Sequence, residues 1–124
     1  MNNTVKPDFI KDVKEFHTRF NQPYAGPPRR LPPVEEEFRC DFLEEEATEF
    51  RVASLEDRPA EMLDALVDIV YVALGTAELH GWNFAQAWKR VHEANMAKEP
   101  AKEGSFKIVK PPGWTPPNLD DLVT

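Results

Sequence analysis

The placement of proline constrains this chain more than any other feature. Twelve prolines stand at 7, 23, 27, 28, 32, 33, 59, 100, 111, 112, 116 and 117, and none falls within 34–58 or 60–99. Proline lacks an amide donor and clashes with the preceding helical turn, so it is confined to helix boundaries and loops. The chain therefore divides itself into long stretches fit for helices and stiff connections between them. Helices are expected over 8–20, 34–55 and 59–80, and a fourth starting at 83 and ending before Pro100.

Local signals agree with that division. Phe9, Val13, Phe16 and Phe20 recur at helical spacing. Val34, Phe38, Phe42, Phe50 and Val52 supply apolar positions to the second helix, and Phe84, Ala87, Trp88, Val91 and Met96 to the fourth. Asp8, Asp57 and Asn83 are candidate N-caps, and Gly81 is a candidate C-terminal cap. Residues 21–33 must form a loop, and 99–124 a Pro-, Gly- and Lys-rich tail. Only Phe106–Val109 reads as a short β segment. The expectation is one all-α domain over 1–124 with four main helices.

Charge and cysteine content narrow the function. The formal net charge is -7, from 22 acidic and 15 basic residues. That balance argues against a general nucleic-acid binder, which needs a basic patch. It leaves a nucleotide substrate open, since metal ions bridge an acidic site to phosphate. A single cysteine, Cys40, allows no intrachain disulfide, and a cytoplasmic setting is expected. No apolar run approaches a membrane span, and Met1-Asn2-Asn3-Thr4 lacks the apolar core of a signal peptide.

Two acidic patterns carry the chemistry. In the second helix Glu45 and Glu49 are i,i+4 neighbours and Glu46 and Glu49 are i,i+3 neighbours, so three carboxylates share one side within about one turn. Like charges at this spacing repel unless cations or solvent neutralise them; a solvated acidic face is the plainer reading of this segment alone. In the third helix Glu61, Asp64 and Asp68 form a stripe about 60° wide, and nearly everything else from 62 to 74 is apolar. A helix apolar on most of its circumference is expected to be buried. Ionised aspartates there are costly unless paired or metal-bound, and few basic residues lie nearby in sequence. Two such helices facing each other would make an oxygen-lined pocket for a hard divalent cation. Zinc does not fit a set without Cys or His.

These residues resemble the all-α nucleoside-triphosphate pyrophosphohydrolases, the MazG-like superfamily that includes phosphoribosyl-ATP pyrophosphohydrolases and dimeric dUTPases. The likeness rests on Glu45-Glu46-x-x-Glu49, on Glu61-x-x-Asp64-Ala-Leu-Val-Asp68-Ile-Val-Tyr71-Val-Ala-Leu-Gly75, and on Val91-His92-Glu93-Ala94-Asn95-Met96-Ala97-Lys98. Val13-x-x-Phe16-His17 and Lys110-Pro-Pro-Gly-Trp114 extend it, and the Glu61–Gly75 segment is close to a phosphoribosyl-ATP-pyrophosphohydrolase-like subgroup of bacteria and phages. The family's acidic pattern is EExxE, a spacer, then ExxD. Here ExxD is either Glu61 with Asp64, after a short spacer (50–60), or ends at Asp68. In the second case Ala65 stands where a ligand is expected and Asp64 substitutes.

The resemblance implies a four-helix, bundle-like MazG-type fold. The third helix is too apolar for a free surface on so small a chain, so a dimer or tetramer formed through helix packing is expected. The resemblance also implies Mg²⁺, with Mn²⁺ able to substitute, held by Glu46, Glu49, Glu61, Asp64 and Asp68. A carboxylate not fully used as a ligand can take the proton of the attacking water; Glu45 is the candidate for that catalytic role, with binding of a second metal as its alternative. Asn95, Lys98, His92 and Trp114 are the implied substrate contacts, each with a structural alternative in helix capping or packing. Arg29 and Arg30 either help hold phosphates or are solvated loop arginines. The implied reaction cleaves an NTP or dNTP (dGTP, dUTP and dCTP among the candidates) to the monophosphate and pyrophosphate. Hydrolysis of phosphoribosyl-ATP, and an acidic helical module that binds a basic partner, stay open as alternatives. No nucleic-acid or membrane partner is expected.

Overall fold

Four α-helices run through residues 5–124, which the computed structural model describes: α1 (Phe9–Arg19), α2 (Pro33–Leu55), α3 (Pro59–Leu79) and α4 (Phe84–Met96). Met1–Thr4, on which the signal-peptide expectation rests, lie outside the described residues. A 3-10 turn, Asp120–Leu122, lies near the end. The class is all-α, as expected. Among the described residues the 106–109 segment forms no strand; Val109 makes one isolated antiparallel bridge to Glu99, with both amides bonded at 2.8 and 2.9 Å. Among the described residues no helix is long and apolar enough to cross a membrane.

The chain divides, between Trp82 and Asn83, into two compact units. The first holds α1, α2 and α3; the second holds α4 and the tail.

Helix ends in the first unit follow one pattern. Beyond α1, α2 and α3, a residue with positive φ closes the helix: Asn21 at 61°, Asp57 at 53° and Gly81 at 69°. In each case the next amide reaches back to the first free carbonyl: Gln22 to His17 at 2.7 Å, Arg58 to Ala53 at 2.9 Å and Trp82 to Ala77 at 3.1 Å. This satisfies carbonyls that a helix end would otherwise orphan. Asp57 therefore terminates α2. It does not cap α3, whose N-cap residue is Arg58 and makes no side-chain capping bond. Asp8 and Asn83 do cap, accepting from Lys11 N and Gln86 N at 3.1 Å each.

Gly81 is required twice over. Its φ is left-handed, and a Cβ would stand 2.8 Å from Pro27 O. The 21–33 loop is pressed against the end of α3. Arg29 donates its amide to His80 O at 2.8 Å and its Nε to Leu79 O at 2.9 Å, while its guanidinium lies 3.6 Å above the Tyr24 ring.

α3 is the central element of this unit and packs against α2 and α1. α2 and α3 run antiparallel: Arg39, early in α2, reaches Val72 and Thr76 late in α3, whereas Glu46 meets Asp68, earlier in α3. The packed stripe of α2 is not the apolar one expected. It is Arg39, Glu46 and Ala53, spaced by seven, which is close to two helical turns. Ala65, Val72 and Leu79 form the matching stripe of α3. Val34, Phe38 and Val52 of α2 stay exposed. So do Leu63, Leu66, Val67 and Val70 of α3, a helix expected to be buried nearly all round. Two neighbouring helices cover only part of α3's circumference. On α1 the buried residues are Val13 and His17. Phe16 stays half-exposed and packs edge-on against Tyr71 at 5.2 Å.

Candidate metal centre

The α2–α3 pairing brings carboxylates together. Glu46, Glu49 and Asp68 each offer an oxygen, and the three atoms lie within 4.8 Å of one another. Glu46 is 7 % exposed, Asp68 is half-buried and Glu49 faces solvent. The reason lies in the two stripes: Glu46 occupies the packed line of α2, and Glu49, one turn on, reaches the same edge.

This burial is electrostatically unfavourable without a cation. Loss of solvent pushes the Glu46 carboxyl up to about 7, helped by Glu49, Asp68 and Glu45. Burial also raises Asp68, with Asp64 and Glu49 adding to it. Glu46 Oε2 is buried and has no hydrogen-bond partner among the described residues. Buried polar atoms are nearly always bonded, so an orphaned carboxylate oxygen at a carboxylate cluster fits an ion-binding role. The donor set is three carboxylates with neither Cys nor His, which suits a hard divalent cation such as Mg²⁺ or Mn²⁺.

Other candidates are placed differently. Glu61, at the start of α3, is ion-paired to Arg58 and is not in the cluster. Asp64 is exposed, one turn before Asp68, and acts on it through charge. Glu45 is exposed beside the cluster.

In the second unit His92 and Asn95 are exposed on α4. The Trp114 indole donates to Ala94 O at 2.7 Å, so it ties the tail to the end of α4. The Lys98 and Lys110 ammoniums lie 5.0 and 5.1 Å from its ring. Lys110 enters the sequence reading only as part of the Lys110-Pro-Pro-Gly-Trp114 motif; its distance from Lys98 in sequence hides the aromatic contact the two share.

A protein-family model described as phosphoribosyl-ATP pyrophosphohydrolase matches residues 13–95. The chain belongs to that family. The phosphoribosyl-ATP pyrophosphohydrolase family falls within the MazG-like nucleoside-triphosphate pyrophosphohydrolase superfamily, and membership makes the chain a pyrophosphohydrolase. Members are typically metal-dependent, and the Glu46–Glu49–Asp68 cluster has the chemistry to bind such an ion. The match includes all three carboxylates and stops before Lys98 and Trp114. No curated protein matches the chain.

Proposed function

We propose that this chain is a metal-dependent pyrophosphohydrolase of nucleoside or deoxynucleoside triphosphates, with dGTP, dUTP and dCTP in its range, that controls a nucleotide pool. The observation that carries this reading is the orphaned Glu46 oxygen inside a three-carboxylate cluster within the family-matched segment.

Glu46, Glu49 and Asp68 would hold Mg²⁺, with Mn²⁺ able to substitute; Asp64 and Glu61, farther up the same face of α3, are the remaining candidate ligands. When bound, the ion neutralises phosphate charge and acidifies a coordinated water. Glu45 takes the proton of the attacking water from its exposed place beside the cluster. Cleavage between the α and β phosphates yields a monophosphate and pyrophosphate. Lys98 contacts phosphate, Asn95 and His92 contact the substrate from α4, and Trp114 offers an aromatic face to the base.

We also propose that the exposed α3 stripe, Leu63, Leu66, Val67 and Val70, is covered by a second copy in a dimer or tetramer. Four large apolar residues on one helix face are more than a monomer usually leaves to water.

Phosphoribosyl-ATP is the second reading, favoured by the description of the matching family. A panel of all NTPs, dNTPs and phosphoribosyl-ATP, with Mg²⁺ or Mn²⁺ and assayed for pyrophosphate release, tests both. Release from one or more dNTPs at the highest kcat/KM supports the first; turnover of phosphoribosyl-ATP alone supports the second. No metal-dependent release from any of them overturns the enzyme reading.

A further inference from the structure

Arg39 is a buried charge held only by neutral acceptors. It is 7 % exposed. Its Nε donates to Thr76 Oγ1 at 3.0 Å and its Nη2 to Val72 O at 3.0 Å, both neutral acceptors. Among the described residues it makes no ion pair, and its Nη1 has no protein acceptor. Burial accordingly pushes the guanidinium down from its ordinary value, with the charge of Glu35 opposing. A guanidinium carries five donors, and a buried cation normally finds a carboxylate or a phosphate.

Arg39 lines a cleft of about 270 Å³ together with Asn21, Gln22, Arg29, Glu35 and Phe38. Arg29 is a second guanidinium on that wall, fixed by its bond to Leu79 O and by the Tyr24 ring, and among the described residues it makes no ion pair. Arg30, next in sequence, is neutralised by Glu36 and takes no part. Two held guanidiniums against one carboxylate leave the cleft positive in a protein whose net charge is -7. Arg39 precedes Glu46 by seven residues, so the cleft is roughly 10 Å along α2 from the carboxylate cluster.

We propose that this cleft is a phosphate site, separate from the metal centre, with Arg39 and Arg29 as its donors. Planar, preorganised guanidiniums match a tetrahedral oxyanion through paired N–H bonds, and the side-chain amides of Asn21 and Gln22 supply neutral donors beside them. The phosphate has two possible sources: free inorganic phosphate, or a phosphate the substrate carries outside its triphosphate, as phosphoribosyl-ATP does.

Titration of the full chain with inorganic phosphate in EDTA tests the site apart from the metal reading. Saturable binding is expected. Arg29→Met should weaken it roughly tenfold or more, the scale of one charge-assisted contact. Arg39→Met should abolish it, and Glu35→Gln, which removes the one opposing charge without touching the α2–α3 clamp, should tighten it. Binding that is absent at millimolar phosphate, or equal in wild type, Arg29→Met and Glu35→Gln (an adventitious ion only), overturns the proposal.

Kinetics of Arg29→Met assign the source. A raised KM for phosphoribosyl-ATP but not for dGTP assigns the phosphate to the substrate. Unchanged KM values beside weakened phosphate binding assign it to a free ligand. A raised KM for every nucleotide puts the triphosphate itself in the cleft and overturns a separate site. Phosphate binding in a protein that hydrolyses nothing would sink the proposed function and leave this site standing.

Discussion

Glu46 on α2 and Asp68 on α3 present carboxylate oxygens within 4.8 Å of each other, and among the described residues neither is ion-paired to a basic side chain. Asp68 is one of the charges that raise Glu46. Glu49 is another, so neutralising Asp68 or Glu49 should separate function from stability. Asp68→Asn or Glu49→Gln should lower kcat/KM for pyrophosphate release at least about 100-fold, the scale of losing one group that stabilises transition-state charge. The same variants should melt at or above the wild-type temperature in EDTA, because mutual repulsion falls. Near-normal turnover at subsaturating metal in both variants would remove the cluster from the mechanism.

The metal-free protein should lose stability as pH rises toward neutrality. Glu46 has a folded value of about 7 against an ordinary value of 4.5. Its neutral form is favoured by folding, so this contribution is complete below about 4.5 and is lost as pH rises through about 7. Glu36 works oppositely. Hydrogen bonds from Arg30 and then His80 hold it at about 2, so its contribution is present above about 4.5 and lost as pH falls toward 2. Melting in EDTA should peak near pH 5, and Glu46→Gln should flatten the alkaline side. An unchanged alkaline slope in Glu46→Gln would show that another group causes it.

Gly75→Ala should destabilise the first unit. A Cβ there would stand 2.7 Å from His17 Nε2 and 3.0 Å from Arg39 Nη2. Helix propensity favours alanine by about 1 kcal/mol, while overpacking costs about 1–3 kcal/mol. The steric side wins because neither neighbour is free to move: His17 Nδ1 is bonded to Gln22 O at 3.1 Å, and Arg39 is held by Thr76 and Val72. A denaturant midpoint equal to or above wild type would show that the pocket relaxes.

Lys98→Ala distinguishes substrate binding from packing. If the ammonium contacts phosphate, kcat/KM should fall roughly 10- to 150-fold. If its contact with Trp114 is its whole role, only about 0.5–1 kcal/mol of stability is lost and kinetics stay intact. Steady-state kinetics and a melt on one preparation decide which quantity moves.

Self-association should depend on the outer stripe of α3. Light scattering at micromolar concentration should give a dimer or larger mass, and Val67→Glu with Val70→Glu should shift it to the monomer. A monomeric mass for the wild type across that range would refute the covered-face reading.

Much of the helical organisation was written locally. Prolines mark the boundaries, Asp8 and Asn83 cap as their side chains predict, and Gly81 closes α3 because a left-handed residue is needed there. The acidic residues were legible too, as was the likeness to the pyrophosphohydrolases. Which faces pack was not. The apolar content of α2 pointed to its aromatic and valine positions, yet the packed line is Arg39, Glu46 and Ala53. Periodicity reports where apolar residues lie, not which face another helix will cover, and Phe38 and Val52 stay exposed in this chain. Likewise Glu61, Asp64 and Asp68 share one stripe in sequence, and only the antiparallel register of α2 against α3 selects Asp68 for the cluster. Asp57 shows the same limit at a helix end: its type suits an N-cap, but the turn geometry places it as the left-handed closure of α2. Local chemistry, acting over a few residues, determined the helices and their ends; the choice of burial and of carboxylate partners came from contacts some 20 or more residues apart, which only the tertiary structure decides.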